Sequence, residues 1–186
     1  MLSLQASSSP TTTVTLKSWD GWLTRVTGQS LADYMSQKLW QPLGMELDAT
    51  WMVDSDGPQG LKTAGCCFNA TLLDYARFGL LFLNKGNWRG RQIVPEQWVE
   101  EATNPQGSQV RSGQVLPGTP LGYGYLWWTL PGSNHVFSAW GLYQQFIYVN
   151  PVQGVVIVKT SAFKPYNTPM ETFTAFEAIC SALESR

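Results

Sequence analysis

A chain of 186 residues that is 44% hydrophobic and 13% charged can pack one domain, or part of a larger one, and carries too little charge for disorder. Its net charge of −1 gives no electrostatic reason to expect nucleic acid or an anionic membrane surface as a partner. A single histidine, His135, with no C-x-x-C or H-x-x-x-H spacing argues against a zinc centre, and nothing else calls for a metal or cofactor.

The three cysteines make a poor disulfide framework, because their count is odd and Cys66 and Cys67 are adjacent. They are expected, with Cys180, to be small apolar thiols in a reducing compartment. "MLSLQASSSP" has neither a basic region nor a long apolar core, so no signal peptide is expected and a cytoplasmic location is favoured. The apolar run "FGLLFL" is too short to span a membrane. The nine tryptophans and seven tyrosines are expected mainly in the core, ahead of a binding wall.

Regular signals begin at Ser30. "SLADYMSQKLW" is predicted as a helix with Ser30 as N-cap, Leu31, Tyr34, Met35 and Leu39 on one face, and Pro42 as its end. "PLGMELDATWMVDSDGPQG" is predicted as loop. "NATLLDYARFGLLFLNKG" carries the strongest helical period, in Leu72, Leu73, Ala76, Leu80 and Leu83, with Gly86 just beyond. A turn at Arg89-Gly90 and a helix with Pro95 at its first position follow, then a long loop from Asn104 to Pro120. The last third changes period: "LGYGYLWWTL", "HVFSAW", "QQFIYVN" and "GVVIVKTSA" are strand-like, and Asn150 to Gly154 joins the last two as a hairpin. Met170, Phe173, Phe176, Ile179 and Leu183 predict a terminal helix covering the sheet. The expected class is α+β: helices, then an antiparallel sheet of about three to four strands covered by a C-terminal helix.

Four phrases carry a resemblance: "VTGQSLADYMSQKLWQPLGM", "NATLLDYARFGLLFLNKGNWRGRQIVPEQWV", "GYGYLWW" and "WGLYQQFIYVNP…VVIVKTSA". Their order, from Leu23 to about Ala162, resembles the β-lactamase-related serine hydrolases. The closest branch holds class C-like β-lactamases, family VIII carboxylesterases and 6-aminohexanoate-dimer hydrolases. The resemblance implies only the C-terminal part of that fold, and hydrolysis of small esters or amides in intact relatives. Their nucleophile is the Ser of S-x-x-K at a helix start, upstream of the Gly28 region, with Lys on the same face. A Tyr on a loop is the second acid–base group, and a K-T-G, H-G or W-G-G strand completes the oxyanion hole.

Three look-alikes of these signatures fail on local grounds. Ser161-x-x-Lys164 follows the strand "VVIV" and runs into Pro165, so its Ser and Lys do not share a helical face. Lys159-Thr160-Ser161 lacks the glycine of K-T-G, and Lys159 is expected on the solvent side of a strand. Tyr148-Val149-Asn150 precedes Pro151, making Tyr148 a cross-strand packing residue and Asn150 a turn residue. By resemblance the wall is instead Trp140, Gly141, Leu142 and Tyr143, with an oxyanion N–H at Leu142 or Tyr143. Equally, Gly141 could serve a bulge in the sheet. Relatives usually carry Gly where this chain has Gln144.

No catalytic residue is therefore assigned. Residues 1–22 form an atypical lead, with no Tyr before Tyr34 where the resemblance calls for one. Back-translating Thr11 to Asp20 and shifting by one base spells Tyr-Asn-Asn-Ser-Asp-Thr-Gln-Val-Leu-Gly-Trp. Such a lead is an out-of-frame reading of the Tyr-bearing segment, or an unrelated low-complexity start on a divergent member. Residues 23–186 are then a truncated serine hydrolase, expected to be inactive alone, with apolar surface prone to self-association. The alternatives are half of a split hydrolase completed by an N-terminal chain, or a binding module using Trp127, Trp128 and Trp140 as an aromatic wall.

Overall fold

The computed structural model describes residues 20–57, 60–104, 116, 118–132, 134–162 and 169–184. Most of the atypical lead, most of the loop predicted from Asn104 to Pro120, and Lys164 lie outside them. Residues 20–27 are helical (α1). α2 (Leu31–Met35) begins as predicted: the Ser30 hydroxyl accepts from the Asp33 N–H at 3.2 Å. A second cap was not foreseen. Buried Asp20 accepts from the Leu31 N–H at 3.1 Å and from the Lys62 N–H at 2.6 Å. Pro42 does not end this helix. A π-helical turn (Ser36–Trp40) leads into α3 (Gln41–Leu43), where Pro42 occupies a first-turn position that needs no N–H donor. Gly44, left-handed at φ 63°, ends the run, its N–H donating to the Gln41 carbonyl.

The region predicted as loop contains β1 (Thr50–Trp51), which pairs antiparallel with β2 (Phe68–Asn69). Between them the structure corrects the cysteine expectation. Cys66 and Cys67 are disulfide-bonded to each other, and only Cys180 is a free buried thiol. Adjacent cysteines can meet because the chain turns sharply, with Cys67 at φ 70°.

α4 (Leu72–Leu83) is capped by Thr71, whose hydroxyl accepts from the Asp74 N–H at 3.1 Å. Its buried face is not the predicted leucine stripe: it holds Asp74, Tyr75, Gly79, Leu81 and Phe82, while Leu72 and Leu73 are exposed. The helix sits so close to the sheet that a Cβ on Gly79 would come within 2.7 Å of Val156 and 2.9 Å of Ile147. β3 (Asn87–Trp88) and β4 (Arg91–Gln92) flank the predicted Arg89-Gly90 turn, and α5 (Glu96–Thr103) follows with Pro95 as its N-cap, one residue earlier than predicted.

The sheet has five antiparallel strands rather than three to four: β5 (Gly122–Gly124), β6 (Trp127–Thr129), β7 (Phe137–Gly141), β8 (Gln145–Asn150) and β9 (Val155–Lys159), in chain order. The extra strand arises because "LGYGYLWWTL" folds back at Tyr125 and Leu126, both left-handed. The predicted Asn150–Gly154 turn forms, with the Asn150 side-chain oxygen accepting from the Gln153 N–H at 3.1 Å.

Each sheet face has its own apolar layer. α4 and α5 cover Trp127, Phe137, Ala139, Ile147 and Val149. α6 (Pro169–Glu184) covers Trp128, Trp140, Phe146 and Tyr148 with Phe173, Phe176 and Cys180. Ile179 and Leu183, predicted on the covering face, are exposed at 48% and 51%. The α+β class is thus as expected, with a meander sheet between two helical layers.

Candidate functional site

The predicted wall lies at the end of β7 and in the turn after it. Trp140 contributes no side chain to a surface. Its indole is 5% exposed, stacked 6.0 Å from Phe146 and tilted 5.2 Å from Trp128 in the layer under α6. Trp127 points to the opposite face, 4.7 Å from Phe82. The three tryptophans therefore form no common aromatic wall, because neighbours along a strand face opposite sides.

The backbone of this stretch is more telling. β6 pairs with β7 only at Phe137 and Ser138, where the register ends. The Val136 carbonyl accepts from the Leu130 N–H at 2.9 Å on that side. Polar groups alternate along a strand, so the N–H and C=O of Ser138 and then Trp140 point the same way. At Trp140 β6 supplies no partner, and β7 presents an open rim over Ala139–Gly141. Gly141 pairs with Gln145 across a turn of Leu142, Tyr143 and Gln144. Tyr143 and Gln144 are left-handed at φ 61° and 68°. A glycine would adopt the backbone at Gln144 without the strain that a side chain adds there.

The look-alike motifs are placed elsewhere. Ser161 follows β9 in non-helical backbone, its N–H donating to Gln145 Oε1 at 3.0 Å. Lys159 is not on the solvent side as expected. Its ammonium lies 5.4 Å from the Phe146 ring centre and donates to the Thr172 hydroxyl at 3.1 Å. Tyr148 is fully buried, paired across to Ser138 and Ile157, as the packing assignment required. Four tyrosines are shifted away from a base's range. Burial pushes Tyr123 up to about 12 and raises Tyr75 and Tyr148, while the hydrogen bond to Glu101 raises Tyr125.

Beside the sheet, on the α4 side, lies an apolar cavity of about 210 Å³, lined by Met35, Trp40, Trp51, Cys66, Phe68 and Ile147 among others. Ala139, adjacent to the open rim, is part of its floor. The Asp74 carboxylate reaches the lining but is saturated: it accepts from the Glu46 and Leu47 N–H groups and the Thr71 hydroxyl, and pairs with Arg77 at 2.7 Å. Among the described residues no cluster of His, Cys, Asp or Glu suits a metal ion, and no helix is long and apolar enough to cross a membrane.

The model of the beta-lactamase family matches residues 20–175, which hold the whole sheet, α1 to α5 and the start of α6. The chain belongs to the beta-lactamase family. Within that family it is 30% identical, over 146 residues, to the 6-aminohexanoate-dimer hydrolase of Paenarthrobacter ureafaciens, covering 77% of this chain and 36% of the relative. A Bacillus anthracis structure described as a 6-aminohexanoate-dimer hydrolase superposes with a TM-score of 0.78 at 30% identity, covering 91% of this chain and 42% of its own. A Mycobacterium bovis beta-lactamase shares the fold with a TM-score of 0.66 at 22% identity, covering 91% of this chain and 62% of its own. The chain thus spans well under half the length of the two 6-aminohexanoate-dimer hydrolase relatives. The partial β-lactamase-like fold, the hydrolase family and the position in its C-terminal part agree with the sequence analysis.

Asp20 went unnoticed in the sequence because it fell in the stretch assigned to the atypical lead. Asp74 gave a signal that was not used, Thr71 three residues before it in a cap pattern.

Proposed function

We propose that this chain is the C-terminal wall of a serine hydrolase acting on small esters or amides, without acyl-enzyme chemistry of its own. The observation that carries this is the open rim of β7 at Trp140, next to Gly141. By resemblance the oxyanion donor is a backbone N–H at Leu142 or Tyr143, in the turn that follows this rim. The remaining parts of the reaction, a nucleophilic Ser with its Lys and a Tyr acid–base group, have no counterpart among the residues at this rim. Ser161 is held by Gln145 in non-helical backbone, without the helix that an S-x-x-K pair needs.

The test is a fluorophosphonate probe with p-nitrophenyl butyrate turnover on the purified chain. The expected result is no labelled serine and no turnover above buffer. Stoichiometric labelling of any serine overturns the proposal.

A second reading, a split hydrolase completed by a separately supplied N-terminal part, is favoured by three uncovered surfaces. β9 has no strand on its outer edge among the described residues, α6 exposes Ile179 and Leu183, and α4 exposes Leu72 and Leu73. Copurification with a chain bearing S-x-x-K, with labelling only in the complex, would separate it from the first. An aromatic binding module is disfavoured, since Trp127 and Trp128 serve opposite cores.

A further inference from the structure

The apolar cavity has one wall that chemistry can open. Cys66 lines it beside Trp51 and Phe68, and is bonded to Cys67. Both cysteines are half-buried, within reach of a small thiol reagent. A disulfide between sequence neighbours closes no long loop, so it restrains the backbone of those two residues rather than the unfolded chain. Cys67 stands at φ 70°, a conformation that a side-chain-bearing residue keeps where its surroundings impose it.

The neighbouring loop is stitched to that backbone. The Met52 N–H donates to the Cys67 carbonyl at 3.1 Å, and the Trp51 indole N–H to the Cys66 and Thr63 carbonyls at 2.9 and 3.0 Å. The Cys66 N–H donates to the Thr63 carbonyl and the Thr63 N–H to the Met52 carbonyl, both at 3.0 Å. Trp51 and Phe68, which meet edge to face at 5.1 Å, form the cavity wall that these bonds hold.

We propose that the Cys66–Cys67 disulfide is a redox switch for the cavity wall, closed when oxidised and loosened when reduced. A dithiol supplies two electrons and two protons. The S–S bond breaks, each sulfur leaves as a thiol, and the dithiol closes to its own disulfide. Cys67 then leaves the left-handed region, and the bonds from Met52 and Trp51 lose their fixed acceptors. Cys180, a residue of α6 buried against the opposite sheet face, takes no part. This proposal is independent of whether the chain is a hydrolase wall.

Hydrogen exchange of the full chain, with and without dithiothreitol, tests it. Reduction is expected to speed exchange at Met52, Thr63 and Cys66 at least tenfold, leaving the amides of β7 and β8 unchanged. Iodoacetamide should add two groups to the Cys66–Cys67 peptide only after reduction, and reoxidation should restore slow exchange. The Cys66→Ser/Cys67→Ser variant should exchange fast at those amides whatever the redox state, and Cys180→Ser should keep the response. The proposal is overturned if both thiols react before reduction, if exchange is unchanged, or if it rises throughout the sheet. Should the double variant not fold, the wild-type comparison alone decides.

Discussion

Gln145 grips the backbone of Ser161 with both ends of its side-chain amide. Oε1 accepts from the Ser161 N–H at 3.0 Å, and Nε2 donates to the Ser161 carbonyl. The carboxamide stands in for a strand neighbour just beyond β9, satisfying both backbone groups of Ser161. Gln145→Ala removes both partners at a site where Gln145 is 4% exposed. The expected loss is about 2 kcal/mol of unfolding free energy, because orphaned backbone groups lose their compensation. Urea denaturation measures it, and an unchanged midpoint would mean that water replaces the amide.

Asp74 should make the fold acid-sensitive. Burial alone would raise its carboxyl, but the Glu46 and Leu47 N–H groups, the Thr71 hydroxyl and the Arg77 guanidinium outweigh burial and hold it below the ordinary range. The unfolded chain therefore binds the proton more readily. The contribution is complete above the unfolded value, about 3.9, and fades as pH falls through the lower folded value. Asp74→Asn is expected to cost about 2–4 kcal/mol at neutral pH. Its gap from wild type should narrow below about pH 4, as urea midpoints between pH 6 and pH 3 will show.

Trp140 separates a core role from a recognition role. With its indole between Phe146 and Trp128, Trp140→Ala should destabilise the fold by about 3–5 kcal/mol. Thermal and urea unfolding provide the measurement. A variant as stable as wild type would show that the indole is not packed as described.

The second apolar stripe of α6 predicts association. Ile179 and Leu183 are about half exposed, so the isolated chain should self-associate as its concentration rises. Ile179→Glu/Leu183→Glu should shift sedimentation velocity towards monomer with little change in unfolding free energy. A monomeric wild type at all concentrations would count against an adhesive surface here.

What could be read in the sequence was what is local. Ser30 caps the helix that follows it, and Arg89-Gly90 and Asn150–Gly154 turn where their backbone chemistry demands. What failed was the choice of face. In α4, leucines supply the period, but Tyr75, Gly79 and Phe82 meet the sheet, because close approach at Gly79 sets the helix's rotation. The same happened in α6, where Cys180 is buried and Ile179 is not. Contacts far apart in the chain left little trace: Asp20 with the Lys62 N–H, and Lys159 over the Phe146 ring. Of the site, Trp140 to Tyr143 rest on resemblance alone, whereas the open rim depends on where β6 stops pairing, and no residue type announces that.

The strand order of the sheet is also the order in which a ribosome releases it. β6 to β9 are each hydrogen-bonded to the strand made just before, so every pairing can form as soon as its second strand emerges. α4 has no such arrangement. Phe82 meets Trp127 only once β6 is made, and the rest of the helix's sheet-facing side waits, wetted, until β8 and β9 arrive. During translation the helix, rather than the sheet, is the part of this chain that a chaperone would have to shield.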